Sequence, residues 1–117
     1  MKQSPKMILL LLAMLFIVSY GYSQEKKNDS IKILTSAVCG QCKERIETGM
    51  AFEKGVKDIT LDLETKIVTI HFNPNKTTPD QLRRGISKLG YDADSVPADP
   101  VAYKKLPACC KKGAVKH

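Results

Sequence analysis

The 117-residue chain predicts an α+β fold, a four-stranded antiparallel sheet with two helices on one face. Three observations carry this. Short β-branched runs alternate apolar and polar residues with a period of two. Two stretches between them place apolar residues at helical spacing. Gly, Pro, Asn and Asp gather where one period gives way to the other.

The first strand is Ser30–Leu34, where "SIKIL" alternates and is β-branched. From Gln41 the period changes. Cys42, Ile46 and Met50 share one helical face, Lys43, Glu44 and Glu47 turn outward, and Gly55 marks the helix end. Val56–Glu64 puts Ile59, Leu61 and Leu63 on one strand face. Ile67–Phe72 does the same with Val68, Ile70 and Phe72, and "ETK" between them makes a hairpin turn. The polar run "NPNKTTPD" ends in a helix start, with Thr78 as N-cap and Pro79 at the first helical position. Leu82, Ile86 and Leu89 form that helix's buried face, Gly90 stops it, and Tyr91–Val96 is the last short strand. The order strand, helix, strand, strand, helix, strand is that of a split βαβ sandwich.

Residues 1–23 read as a signal peptide. Lys2 and Lys6 precede an unbroken apolar run, Met7–Val18, and Gly21 and Ser23 are small residues placed for a cut before Gln24. The run is shorter than the roughly 20 residues of a membrane-crossing helix. An uncleaved anchor is the rival reading, and no cysteine follows the run to take a lipid. The expectation is an exported protein, periplasmic in a Gram-negative cell and secreted otherwise. Residues 24–29 form a flexible leader, 30–96 the domain and 97–117 a tail. In that tail Asp99-Pro100 opens a short helix over Val101–Leu106, with Val101, Ala102 and Leu106 available to pack. Beyond Pro107 a flexible end is expected.

The net charge is +7, and two of those charges belong to Lys2 and Lys6. The other lysines concentrate near the two ends, as solvated termini do. A nucleic-acid surface would want a basic face interleaved with aromatics. No nucleic-acid partner is expected, and an acidic protein or an anionic membrane surface is compatible with the charge.

Chemistry concentrates at Cys39 and Cys42 in "CGQC", where a strand gives way to a helix. Unpaired N–H groups and the positive helix end favour thiolates there, and Lys43 and Arg45 add positive charge. Two thiolates at this spacing can share one soft ion. They suit Cu(I) or Hg(II) and are too few for a closed Zn(II) site. A redox dithiol with Cys39 as nucleophile is the alternative from another class, although the chain has no tryptophan and is short for a thioredoxin-like domain. A structural Cys39–Cys42 disulfide would close only a small loop and constrain little chain entropy.

Residues 30–96 as a whole resemble the heavy-metal-associated domain of copper chaperones, copper-pumping ATPases and periplasmic mercuric-ion-binding proteins. The resemblance rests on "CGQC", then Ile46 and Met50, then Gly55-Val56, "ITLDLETKIVTIHFNP" and "TTPDQLRRGISKLGYDAD", in register. It implies a ferredoxin-like fold holding one soft ion between Cys39 and Cys42. Cu(I) comes first, with Hg(II), Cd(II) or Zn(II) behind it. It also implies thiolate exchange with a domain of a metal-transporting or efflux protein, no catalysis, a monomer, and membrane contact only through that partner. Tyr91 matches an aromatic near the family's metal loop and is expected to shield the site without ligating.

The departures from the family are local. Ser36, Ala37 and Val38 stand where Gly-Met-Thr is common, so the loop loses a methionine beneath it. Glu53 replaces an apolar helix residue, with Phe52 as the expected substitute for its packing. Cys109 and Cys110 lie outside the family pattern. A short tail reaches across a small domain at about 3.3 Å per extended residue. The pair could therefore add ligands to the ion at Cys39 and Cys42, form a disulfide with one of them, or bind metal or a second chain separately. His71 reads as solvated, His117 as terminal, Met50 as core, and Asp58, Asp62 and Glu64 as a solvated edge.

Overall fold

The computed structural model describes residues 28–113. The expected signal peptide, most of the leader and His117 lie outside the described residues. Strand β1 is Asp29–Leu34, helix α1 Gly40–Ala51, β2 Val56–Asp62, β3 Ile67–Phe72 and helix α2 Pro79–Lys88. A short helix α3, Pro100–Lys104, and a 3-10 turn, Ala108–Cys110, follow. No described helix is long and apolar enough to cross a membrane.

The sheet is antiparallel in the order β1-β3-β2. Its register sets Ile33 and Leu61 on either side of Val68, and Ile31 and Ile59 on either side of Ile70. The period-two pattern therefore becomes one apolar face. Both helices bury against it: Ile46 and Met50 of α1 and Leu82 and Ile86 of α2 join Ile33, Leu61, Val68, Ile70 and Phe72 in a single core. Thr78 caps α2 by accepting from the Gln81 N–H at 3.2 Å, with Pro79 in the first turn, as the sequence predicts.

Three expectations are corrected here. The first concerns strand number: the described residues hold three strands, and Tyr91–Val96 is not a fourth. The segment makes single bridges, Thr35 to Ala93 and Ala93 to Val96. The cause is Asp94, whose φ of 52° folds the chain back on itself. Its N–H donates to the Leu34 carbonyl at 2.8 Å and its carboxylate accepts from the Leu34 N–H at 2.9 Å. One residue thus satisfies the end of β1 where a strand would otherwise lie.

The second concerns α1. It ends at Ala51, ahead of Gly55, and Phe52 is 86% exposed, so it does not stand in for packing at Glu53. The third concerns the tail, which docks on the domain as far as Lys112. Asp99 caps α3 by accepting from the Ala102 N–H at 2.9 Å. Leu106 is buried, whereas Val101 stays exposed. Docking depends on Gly90, whose φ is 104° and whose missing side chain leaves room for Ala102: a Cβ there would lie 3.1 Å from the Ala102 backbone. Past Pro107, Lys112 pairs with Asp92 at 2.6 Å and its N–H donates to the Tyr103 hydroxyl at 3.0 Å.

Candidate metal centre

Cys39 occupies the N-cap of α1 with extended backbone, φ −150° and ψ 172°, and Cys42 lies in the first turn. Their sulfurs are 3.3 Å apart. A third thiol arrives from the docked tail, with Cys110 Sγ 3.7 Å from Cys39 Sγ. The sulfurs of Cys39, Cys42 and Cys110 all lie within 4.8 Å of one another. A zinc–thiolate bond is about 2.3 Å, so two sulfurs sharing one such ion stand at most about 4.6 Å apart. The three thiols thus have close to the spacing of a three-sulfur site.

All three are shut away from solvent, Cys39 at 4% exposure, Cys42 at 0% and Cys110 at 1%. Cys109 is the fourth cysteine and the more open one. Its thiol donates to Gln41 Oε1 at 3.0 Å, and its sulfur lies 4.0 Å from Cys110 Sγ. It lines a shallow cleft of about 250 Å³ with Cys39, Gly40 and Gln41. All four cysteines are free thiols.

The electrostatics separate the thiols. Burial works against ionisation of Cys39, but the Cys42 N–H and the thiols of Cys42, Cys110 and Cys109 favour its thiolate more, and its pKa falls to about 7. Burial pushes the Cys110 thiol up, and the neighbouring Cys42 sulfur adds to the rise. Tyr91 is fully buried. Burial raises its pKa first, and the nearby Cys110 and Cys42 sulfurs raise it further. Its hydroxyl has no hydrogen-bond partner among the described residues. Tyr91 is therefore buried beside the Cys42 and Cys110 sulfurs.

Other expected contributors sit elsewhere. Lys43 is turned onto β2, its ammonium donating to the Leu61 carbonyl at 2.6 Å and pairing with Glu47 at 3.2 Å. Its charge and that of Glu47 are therefore engaged with the strand and not simply solvated. His71 is exposed on β3, and Met50 is a fully buried core residue. Ala37, in place of the family methionine, is fully buried in the same cluster as Tyr91, Leu106 and Cys110. Sequence reasoning left the position of Cys110 open and missed Gln41 as the partner of Cys109. The available signals were Leu106 and Gly90, an apolar tail residue and a glycine able to receive it.

Residues 36–92 match the family model described as heavy-metal-associated domain. A copper-exporting P-type ATPase of Staphylococcus saprophyticus is 41% identical over 84 residues, which is 72% of this chain and 10% of that protein. The chain spans a tenth or less of the length of the first curated relatives it matches. Among solved structures, the water-soluble region of the P-type ATPase CopA from Bacillus subtilis is similar at 30% identity and a TM-score of 0.55, over 60% of this chain and 47% of that one. A CopZ metallochaperone covers 56% of this chain and 98% of its own length at 24% identity and a TM-score of 0.54, a likeness of fold.

Proposed function

This chain belongs to the heavy-metal-associated domain family through residues 36–92, and from that premise we propose that it is an exported carrier of one soft metal ion. The ion is Cu(I), with Hg(II), Cd(II) and Zn(II) as weaker candidates. Cys39, Cys42 and Cys110 hold it. The observation that carries this reading is the group of three buried sulfurs within 4.8 Å of one another. Thiolates select soft ions, and three of them leave a Zn(II) site one ligand short of its usual four. The copper association of the relatives points the same way.

Transfer proceeds by ligand exchange. Thiolates of a partner domain, on a metal-transporting or efflux protein, form bonds to the cargo ion as bonds to this chain's sulfurs break. No redox change accompanies the exchange, and no catalytic group is needed. The signal peptide read in residues 1–23 supports export, and the domain works as a monomer without nucleic acid.

An anaerobic Cu(I) competition titration of the reduced protein, with X-ray absorption to count sulfurs, tests this. One ion with three sulfurs is expected. Cys110→Ser should lower the count to two and weaken binding tenfold or more. Binding no tighter than that of a generic thiol sinks the proposal. The short Cys39–Cys42 distance and the low Cys39 pKa also suit a redox dithiol. Turnover of insulin disulfides that Cys39→Ser abolishes would establish that second reading instead.

A further inference from the structure

The three buried sulfurs raise a problem of access. A site with 0–4% exposure offers an incoming thiolate almost nothing to attack. The cysteine beside it is built differently. Cys109 is partly exposed, opens on the cleft with Cys39, Gly40 and Gln41, and is oriented by its bond to Gln41. Successive sulfur distances run 3.3 Å from Cys42 to Cys39, 3.7 Å from Cys39 to Cys110 and 4.0 Å from Cys110 to Cys109. Each step is within the roughly 4.6 Å that two thiolates on one ion can span.

We propose that Cys109 is a relay thiol, a transient ligand that carries the ion between the buried sulfurs and the surface without belonging to the resting site. The proposal rests on the metal reading above and deepens it by naming the route. On release, Cys109 gives its thiol proton to solvent and bonds the ion while the bond from Cys110 breaks. Cys110 then takes a proton from solvent. The ion keeps its oxidation state throughout. A partner's thiolate next attacks at the cleft, where Cys109 is the ligand it displaces. Loading runs the same steps in reverse. Gln41 is a positioning residue: its amide oxygen holds the Cys109 thiol at the mouth.

The test compares the whole reduced protein with Cys109→Ser, and also with Gln41→Ala, which keeps all four thiols. The probe is Cu(I) with a chromophoric Cu(I) chelator as acceptor. X-ray absorption counts sulfurs, competition gives affinity, and stopped flow gives the release rate. The expected result is three sulfurs and an affinity within threefold in all three proteins. Release should be slower by tenfold or more in Cys109→Ser and by a smaller factor in Gln41→Ala. A count falling from four to three in Cys109→Ser would make Cys109 a resident ligand and overturn the relay. An unchanged release rate with three sulfurs throughout would overturn it as well, leaving the metal reading standing. If the unaltered protein binds no Cu(I), the metal reading fails first and the relay falls with it.

Discussion

Tyr91 shows how one buried atom reports on its surroundings. Its hydroxyl is buried beside two sulfurs and has no hydrogen-bond partner among the described residues. A buried polar group without a hydrogen bond costs about 1–3 kcal/mol, so Tyr91→Phe should leave the metal-free protein as stable or more stable by about 1 kcal/mol. Urea unfolding checks this, and a loss of stability would mean that the hydroxyl is bonded. The sequence pointed to Tyr91 through its match to an aromatic near the family's metal loop. The place of Cys110 was not. It depends on contacts between segments far apart in the chain, and neither period nor spacing carries such information. Phe52 illustrates the opposite error: an apolar residue at a helix end implied packing, but the helix stops at Ala51 and leaves the ring in solvent.

At the scale of elements, periodicity was a good guide wherever one face is buried. The α1, β2–β3 and α2 readings rest on Cys42–Ile46–Met50, on Leu61 facing Val68, and on Leu82–Ile86, and all of these are core. The last strand failed because alternation in "YDADSV" is too brief to outweigh a left-handed aspartate. Docking of the tail yields two predictions. Gly90→Ala places a side chain at φ 104° and 3.1 Å from the Ala102 backbone. The backbone conformation alone costs about 1–2 kcal/mol. The variant should therefore lower the urea midpoint and raise the reactivity of Cys110 toward a maleimide. The second prediction concerns pH. The Lys112 ammonium beside Asp92 holds its carboxyl below the ordinary 3.8. A carboxylate depressed on folding adds stability that is complete above its unfolded pKa and lost as pH falls through the folded one. The tail should stay docked at neutral pH and loosen progressively below about pH 4. Amide exchange at Ala108–Cys110 reads this out, and an Asp92→Asn variant should exchange faster at neutral pH with little further change in acid.

For the molecule as a whole, the tail is part of the core and not an appendage. Leu106 and Cys110 are counted among its buried residues. A chain ending at Val96 should still fold, because the helices and the sheet remain. It should lose stability on the order of 3 kcal/mol with the cover of Leu106 and Cys110, and its Cu(I) should show two sulfurs in place of three. Calorimetry with X-ray absorption on the shortened chain checks both. The separation of 71 positions between Cys39 and Cys110 has a consequence for biogenesis. A polypeptide emerges from its ribosome amino end first. Cys39 and Cys42 therefore appear early, when the segment that closes over them is still inside the machinery. Loop closure across so long a separation comes late in folding. The nascent protein passes through an interval as an open two-thiol domain, and only the finished chain acquires its third sulfur.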